Sequence, residues 1–496
     1  MNRKSLSEVL ENLEYTIVKG DINTQINDVV YDSRKANQEN AFVCIIGAVT
    51  DGHKYIESTL KQGCKVLVIE REAEEIPVLD DYSDITVIQT QSTKKALAVM
   101  SAAIYDYPDK ELTTIAVTGT KGKTTTTFMV RDILEKHGRK VGIIGTTGIY
   151  MGDKFIPNPN TTPQSYEIHK YFRMMLEEGC DTCVMEVSSQ ALKLDRTYHI
   201  MFDYGIFTNL APDHIGENEH ADYDEYVYCK SLLFKQCLHG IFNIDDEETA
   251  RIIKGAVCDI HTYGFHQNAD LYADNIDYIV RPGFIGIGID VHGIIDEHIE
   301  VSIPGKFSAY NAMAAIMTAE LIGVDISDIK EALLHTFVKG RVESVKISDK
   351  FTLLIDYAHN AMSMESLLTT IRAYHPKRIV SLFGCGGNRS KLRRYEMGET
   401  SGKLADLSII TADNSRFENV MDIIEDIKVG INKTDGEYVV IPDRKEAIKY
   451  SIENAKEGDI ILLLGKGHED YQEIEGVKRP FDERVIIREI LEEIHL

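Results

Sequence analysis

Long apolar runs are missing from this chain of 496 residues. No stretch approaches the roughly 18 apolar residues that a membrane-spanning helix needs. The start, MNRKSLSEVLENLEY, lacks the apolar core of a signal peptide, and a cytoplasmic protein without a membrane partner is the expectation. Positive charge is also short: 54 Lys and Arg stand against 79 Asp and Glu, for a net charge of −25. That excludes a nucleic-acid partner gripped by a broad basic surface, while small anions need only a locally basic cleft. The eight cysteines are scattered. Cys180 and Cys183 form one C-x-x-C pair with no second Cys/His pair at zinc-like spacing, so reduced core thiols are expected. Short repeats and low-complexity tracts are absent as well.

What is present is enough chain for three cores at about 150 residues each. The expected domains are 1–105, 106–338 and 339–496. The first mixes short β-rich runs (AFVCIIGAV, CKVLVIE, ITVIQT) with helical stretches, and carries DSR at Asp32–Arg34 and DGH at Asp51–His53. A helical segment, KKALAVMSAAIYDY, leads through Pro108 to a new pattern. TTIAVT reads as a strand, GTKGK as a turn, and TTTTFMVRDILEKHG as a helix ending at Gly138. VGIIGTTG, CVMEVSS and YGIFTNL follow as further strands. The last third repeats apolar strands that run into glycine or charge: FTLLIDYAHN, RIVSLFGCGGNR, LSIITADNSR, YVVIPD and DIILLLGKGHE. This alternation predicts an α/β fold with parallel sheets, a central phosphate-loop ATPase domain and a Rossmann-like C-terminal domain. Ligands in such sheets sit at the carboxyl ends of strands, so Asp356–Asn360, Gly384–Arg389, Asp413–Arg416 and Gly465–Glu469 are expected on one rim.

The turn is a phosphate loop of unusual length. The common form, G-x-x-x-x-G-K-[ST], would place its first glycine at Val117. Here the loop is Gly119-Thr120-Lys121-Gly122-Lys123-Thr124, followed by Thr125. Glycines let backbone N–H groups turn toward phosphate oxygens, and the helix N-terminus adds partial positive charge. Lys123 can reach the β- and γ-phosphates, and the Thr124 hydroxyl can ligate Mg²⁺. Beyond the loop come Asn160-Thr161-Thr162-Pro163, then Glu186 through Leu192 (EVSSQAL), then Thr208-Asn209-Leu210 with Asp213-His214, and Tyr228 through Phe234 (YCKSLLF).

TGTKGKTT resembles the TGTNGKTT loop of the Mur ligases, the ATP-dependent amino-acid ligases of peptidoglycan synthesis, with Lys121 in place of asparagine. The resemblance runs over nearly the whole chain, with the motifs in the family's order. It implies ATP and Mg²⁺ as cofactors. The loop, with Asn209, Arg341, Asp356 and Asn360, would serve ATP. Glu186 and Thr124 would hold one Mg²⁺, and His214 would help hold a second. Lys230 would be carbamylated beside the metal, and Lys123, Glu186, His214 and Lys230 would form the catalytic set. Thr161, Thr162, Ser188, Gln190 and Arg196 would contact a UDP-N-acetylmuramoyl-dipeptide, with Ser33 of DSR on its uridine diphosphate. Two departures fall at the acceptor site: Gln190 stands where the family has histidine, and DHIGENEH stands for DHLDYH.

In the last third, GRVE at Gly340–Glu343, DYAHN, FGCGGNRSKLRR, DNSR and GKGHEDYQ resemble the amino-acid-binding domain of the family members that add the third peptide residue. Those specific for diaminopimelate carry DNPR, whereas this chain has Ser415 for the proline. Diaminopimelate differs from lysine by a second carboxylate, which Arg416 can meet in a bidentate way. Arg389, Asp413, Asn414, Gly465 and Glu469 match the rest of the amino-acid reader, with Glu469 free to accept from an ammonium. The other reading of Arg416 is a surface pair with Glu418. The implied activity is ligation of a dibasic amino acid, meso-diaminopimelate foremost, to the D-Glu γ-carboxylate through an acyl phosphate, by a monomer. Lysine as the amino acid, a folylpolyglutamate-synthetase-like acceptor, or a non-catalytic nucleotide-sugar-binding homologue are the alternatives.

Overall fold

The computed structural model describes residues 3–47, 50–213, 215–216, 219–281 and 284–494. Two compact units emerge: residues 1–272 with 313–329, and residues 273–312 with 330–496.

The first unit begins with a five-stranded sheet in the order Thr16–Lys19, Thr86–Gln89, Val66–Ile69, Asn40–Val43, Asp28–Val30. The first pairing is antiparallel and the rest are parallel. The middle strand, VLVI, is buried along its whole length, as a strand covered on both faces must be. Helix Thr93–Ile104 lies against this sheet and is capped by Ser92, whose side chain accepts from the Lys95 N–H. The DGH motif is a clamp inside this layer. His53 Nδ1 lies 2.7 Å from Asp51 Oδ1, and its Nε2 accepts from the Glu70 and Arg71 N–H groups. An acceptor at Nε2 leaves Nδ1 to face Asp51, so the ring braces two loops.

A second sheet follows, in the order Lys154–Ile156, Gly148–Met151, Val141–Gly145, Thr182–Glu186, Thr113–Thr118, Phe202–Phe207, Cys237–Asn243, Asp259–Gly264. From Val141–Gly145 onward the strands run parallel. The run VGIIGTTG, expected as one strand, is folded back on itself. Gly145 pairs antiparallel with Gly148, and Gly148 takes φ +132°. A side chain there would strike the Phe155 ring, so only glycine allows the turn. Its consequence is functional: Thr146 leaves the sheet at the level of Glu186. Cys180 and Cys183 are buried and free, as expected.

The second unit holds a six-stranded sheet in the order Glu343–Val345, Thr352–Asp356, Asp459–Leu464, Arg378–Phe383, Leu407–Ile410, Tyr438–Val440. All but the first pairing are parallel. Inserting the last parallel strand beside the first places four strand ends in one row, the rim expected from the sequence. Behind the sheet, Arg444 and Glu483 form an ion pair at 2.8 Å with neither side chain exposed. Arg444 also donates to the Ala412 and Leu464 carbonyls, which satisfies the guanidinium that burial would otherwise penalise. No helix among the described residues is long and apolar enough to cross a membrane.

Candidate active site

Strand Thr113–Thr118 delivers its chain into the loop, and helix Lys123–Lys136 begins immediately after it. Gly119 has φ +149° and Gly122 has φ +87°. A Cβ on Gly119 would lie 1.9 Å from Thr208 Oγ1, so the close approach of the two segments requires glycine there. Two residues from the neighbouring strand end hold the loop. Thr208 Oγ1 donates to the Lys121 carbonyl at 2.7 Å, and the Asn209 side chain both accepts from the Lys121 N–H and donates to the Lys121 carbonyl. The Asn209 carbonyl accepts from the Thr120 N–H at 2.8 Å. Residue 121 is therefore read through its backbone, and its own side chain is exposed. That is why a lysine is accommodated at this position. Thr125 follows, half-buried, on the first turn of the helix.

Glu186 ends the adjacent strand and is 1% exposed. Its carboxylate accepts from Thr124 Oγ1 at 3.0 Å, from the Thr146 N–H at 2.9 Å and from Thr146 Oγ1 at 3.1 Å. Thr146 Oγ1 in turn meets Thr161 Oγ1 at 3.0 Å. Thr162 Oγ1 donates to the Glu186 carbonyl, and Arg196 donates to the Thr162 carbonyl at 2.8 Å. Ser188 caps the short helix Ser189–Lys193, and its N–H donates to Thr162 Oγ1. Residues 124, 146, 161, 162, 186, 188 and 196 thus form one continuous polar chain. Its Thr124 and Glu186 oxygens are the hard donors that Mg²⁺ takes. Arg196 is held below the usual arginine range by burial, against the pull of Tyr31 and Glu167. Its Nε and the Gln190 Nε2 are buried without a hydrogen-bond partner among the described residues. Ser33 opens a 3-10 turn capped by Asp32, which also binds the Arg34 guanidinium.

Lys230 sits at the end of helix Tyr223–Ser231 and is 2% exposed. Its Nζ donates to the Gly119 carbonyl at 2.9 Å, and the Lys123 Nζ donates to the same oxygen at 2.9 Å. Burial, and then the Lys123 ammonium, push the Lys230 amine well below the usual lysine range. The Tyr226 ring lies beneath Lys230, and its hydroxyl meets Thr120 Oγ1 at 3.0 Å. The helix is started by Asp222, which accepts from the Glu225 N–H at 2.8 Å. Asp222→Ala is expected to lower the stability by about 1 kcal/mol, read as a drop in the thermal midpoint. His214, expected in the metal site, lies outside the described residues, as do two further positions of the DHIGENEH segment.

In the second unit, Tyr357, His359, Gly384–Gly386, Arg389, Arg393, Asp413, Asn414, Arg416, Gly465 and Glu469 line one cleft of about 320 Å³. All of the expected amino-acid-reading residues are there. The alternative pairing of Arg416 is not. Glu418 is taken by the buried Arg394 at 2.8 Å, while Arg416 donates to the Gly387 carbonyl at 2.7 Å and to Glu473 at 3.2 Å. Arg416 has φ +50°, held by backbone bonds from its N–H and carbonyl to residues 473 and 475. Glu469 also differs from expectation, because it already accepts from an ammonium, that of Lys466 at 3.1 Å. Asp356 accepts from the Val342 and Ala358 N–H groups, and burial raises its carboxyl against the pull of Arg341. Asn360 caps helix Ala361–Arg372. Thr146, Lys466 and Glu473 were not singled out from the sequence, and Thr208 was quoted there without a role. A threonine after a β-glycine and a lysine inside GKGHE give no local signal of the partner each meets.

Residues 25–105 match the family described as Mur ligase family, catalytic domain, residues 117–319 the Mur ligase middle domain, and residues 340–467 the Mur ligase glutamate ligase domain. The chain belongs to the Mur ligase family. A Mur ligase is an ATP-dependent amino-acid ligase. A UDP-N-acetylmuramoyl-L-alanyl-D-glutamate–2,6-diaminopimelate ligase of Clostridium acetobutylicum is 41% identical, covering 99% of each chain. The enzyme of that name from Clostridium botulinum is also 41% identical, covering 99% of this chain and 100% of its own. A solved structure of a ligase with the same description superposes with a TM-score of 0.74 at 26% identity, covering both chains fully.

Proposed function

We propose that this Mur ligase joins meso-diaminopimelate to the D-Glu γ-carboxylate of UDP-N-acetylmuramoyl-L-Ala-D-Glu, in the cytoplasm and as a monomer. The observation that carries the reading is the charge of the rim cleft. Arg389, Arg393 and Arg416 stand in it with Asp413 and Glu469, a surplus of cations that suits an amino acid with a second carboxylate rather than lysine. The names of the curated relatives point the same way.

The γ-carboxylate oxygen attacks the γ-phosphorus of ATP and ADP leaves, giving an acyl phosphate. The diaminopimelate amine, having lost a proton, attacks the acyl carbon, and phosphate departs as the amide forms. Gly119 to Thr125 cradle the phosphates, with Lys123 on the transferring group and Asn209 and Thr208 holding the loop. Thr124, Glu186, His214 and Lys230 would hold Mg²⁺, which supplies charge neutralisation of the phosphoryl oxygens when bound. A Lys230 amine kept from protonation is the form that adds CO₂, and the resulting carbamate is an anion suited to a metal. Thr161, Thr162, Ser188, Gln190 and Arg196 would bind the sugar-peptide, and Ser33 the uridine diphosphate. Arg341, Asp356 and Asn360 are assigned to ATP.

The test is an amino-acid panel with purified protein, ATP, Mg²⁺ and the dipeptide nucleotide, read as phosphate release and product mass. Diaminopimelate is expected to be incorporated with a kcat/KM at least about tenfold above lysine or ornithine, the effect of one charge-assisted bidentate contact. Incorporation of lysine in preference to diaminopimelate would overturn the assignment.

A further inference from the structure

Lys466 follows strand Asp459–Leu464 in the GKGHE turn, and none of its side chain is exposed. A buried ammonium persists only where acceptors saturate it. Three acceptors surround this one: Asp413 Oδ1 at 3.4 Å, Asn414 Oδ1 at 3.1 Å and Glu469 Oε2 at 3.1 Å. An ammonium has three hydrogens to donate and no capacity to accept. All three acceptor residues line the rim cleft, whereas Lys466 itself does not.

Two consequences follow for the cleft. The first concerns Asn414. Its Oδ1 faces Lys466 and the Glu473 N–H at 2.9 Å, both donors only, while its Nδ2 donates to Glu469 at 2.9 Å. These partners fix which end of the amide is oxygen. One amide hydrogen then remains for a ligand carboxylate. The second concerns charge. Asp413 and Glu469 converge on one cation, so the two carboxylates together with Lys466 carry one net negative charge rather than two. That matches a single substrate ammonium, and it suppresses the repulsion that would drive the two carboxylates apart.

We propose that Lys466 is a positioning residue for the amino-acid substrate, setting the Asn414 amide and holding the Asp413 and Glu469 carboxylates at one ammonium-binding point. The inference rests on the ligase reading above, and it is tested with whichever amino acid the wild type incorporates, so that a wrong amino acid does not count against Lys466. Steady-state constants are measured for Lys466→Met, which keeps the volume and removes the charge, and for Lys466→Gln. The KM for the amino acid is expected to rise at least tenfold in both. The KM for ATP and for the dipeptide nucleotide, and kcat at saturating amino acid, are expected to stay within threefold of wild type. A merely structural lysine would move all three KM values together or depress kcat alone. Either of those results, an amino-acid KM within twofold of wild type, or loss of the folded state in both variants would overturn the proposal.

Discussion

Lys123→Ala is expected to lower kcat for phosphate release by about 10²–10³-fold, the usual effect of removing one preorganised charge from a developing oxyanion. In the resting chain the Lys123 Nζ rests on the carbonyls of Gly119 and Thr120, at 2.9 and 3.1 Å. These contacts lie within its own loop, so its loss leaves the loop backbone held by Thr208 and Asn209 from the next strand. The variant should therefore fold, which a thermal melt checks. Its defect should appear in kcat, with nucleotide affinity reduced to a smaller degree, because the backbone N–H cradle persists. Stopped-flow binding of a fluorescent nucleotide together with a phosphate-release assay separates the two. Turnover close to wild type would remove the phosphate loop from the mechanism.

Lys230→Met is expected to abolish turnover and yet stabilise the protein. On the catalytic side, losing a metal-side anion formed from this amine costs several kcal/mol of transition-state stabilisation, at least about a hundredfold in kcat. On the stability side the sign follows from the depressed pKa. Burial and the Lys123 ammonium disfavour the charged form in the folded chain, while the unfolded chain keeps an ordinary lysine near pKa 10.4. Between the folded and unfolded values the unfolded state binds the extra proton. Wild-type stability from this group therefore rises with pH through that window and is lowest below it. Methionine removes the penalty. The expected gain is about 1–2 kcal/mol at neutral pH and below, within the range seen when buried charge is replaced by apolar volume, and it should vanish above about pH 10. Urea melts of the nucleotide-free protein in CO₂-depleted buffer at several pH values measure it. A destabilised variant at neutral pH would mean that the Lys230 contact to Gly119 outweighs its desolvation.

The two effects belong together. A lysine kept out of water beside another cation is expected to weaken the fold, while an uncharged amine is what the proposed carbamylation needs. Stability and activity are in tension at this residue for a physical reason, and the opposite responses of the same variant expose it.

Much of the fold was legible in the chain because its signals are local. An apolar run ending in glycine and lysine, followed by a helical period, identifies the strand, loop and helix around Lys123 without any tertiary information. The five strand-and-turn phrases of the last third likewise announce a parallel sheet, and the rim residues follow from the rule that ligands meet strand ends. The fold-back within VGIIGTTG was not legible, since β-branched and apolar residues continue on both sides of Gly145. Only the clash that any side chain at 148 would have with Phe155 marks the turn.

The chain's own order of residues determined the α/β alternation, the family resemblance, the glycine loop around Lys123 and the candidates at each strand end, because each strand, turn and helix signal is written within about ten consecutive residues. Tertiary structure alone decided which partners those candidates meet. Thr208 and Asn209 grip a loop 87 and 88 residues away, Arg416 turns to Glu473 rather than Glu418, and Lys466 draws Asp413, Asn414 and Glu469 to one point. Hydrogen bonds and ion pairs act over about 3 Å, and which groups come that close is set by the order of strands in the sheet, which no local stretch of sequence encodes.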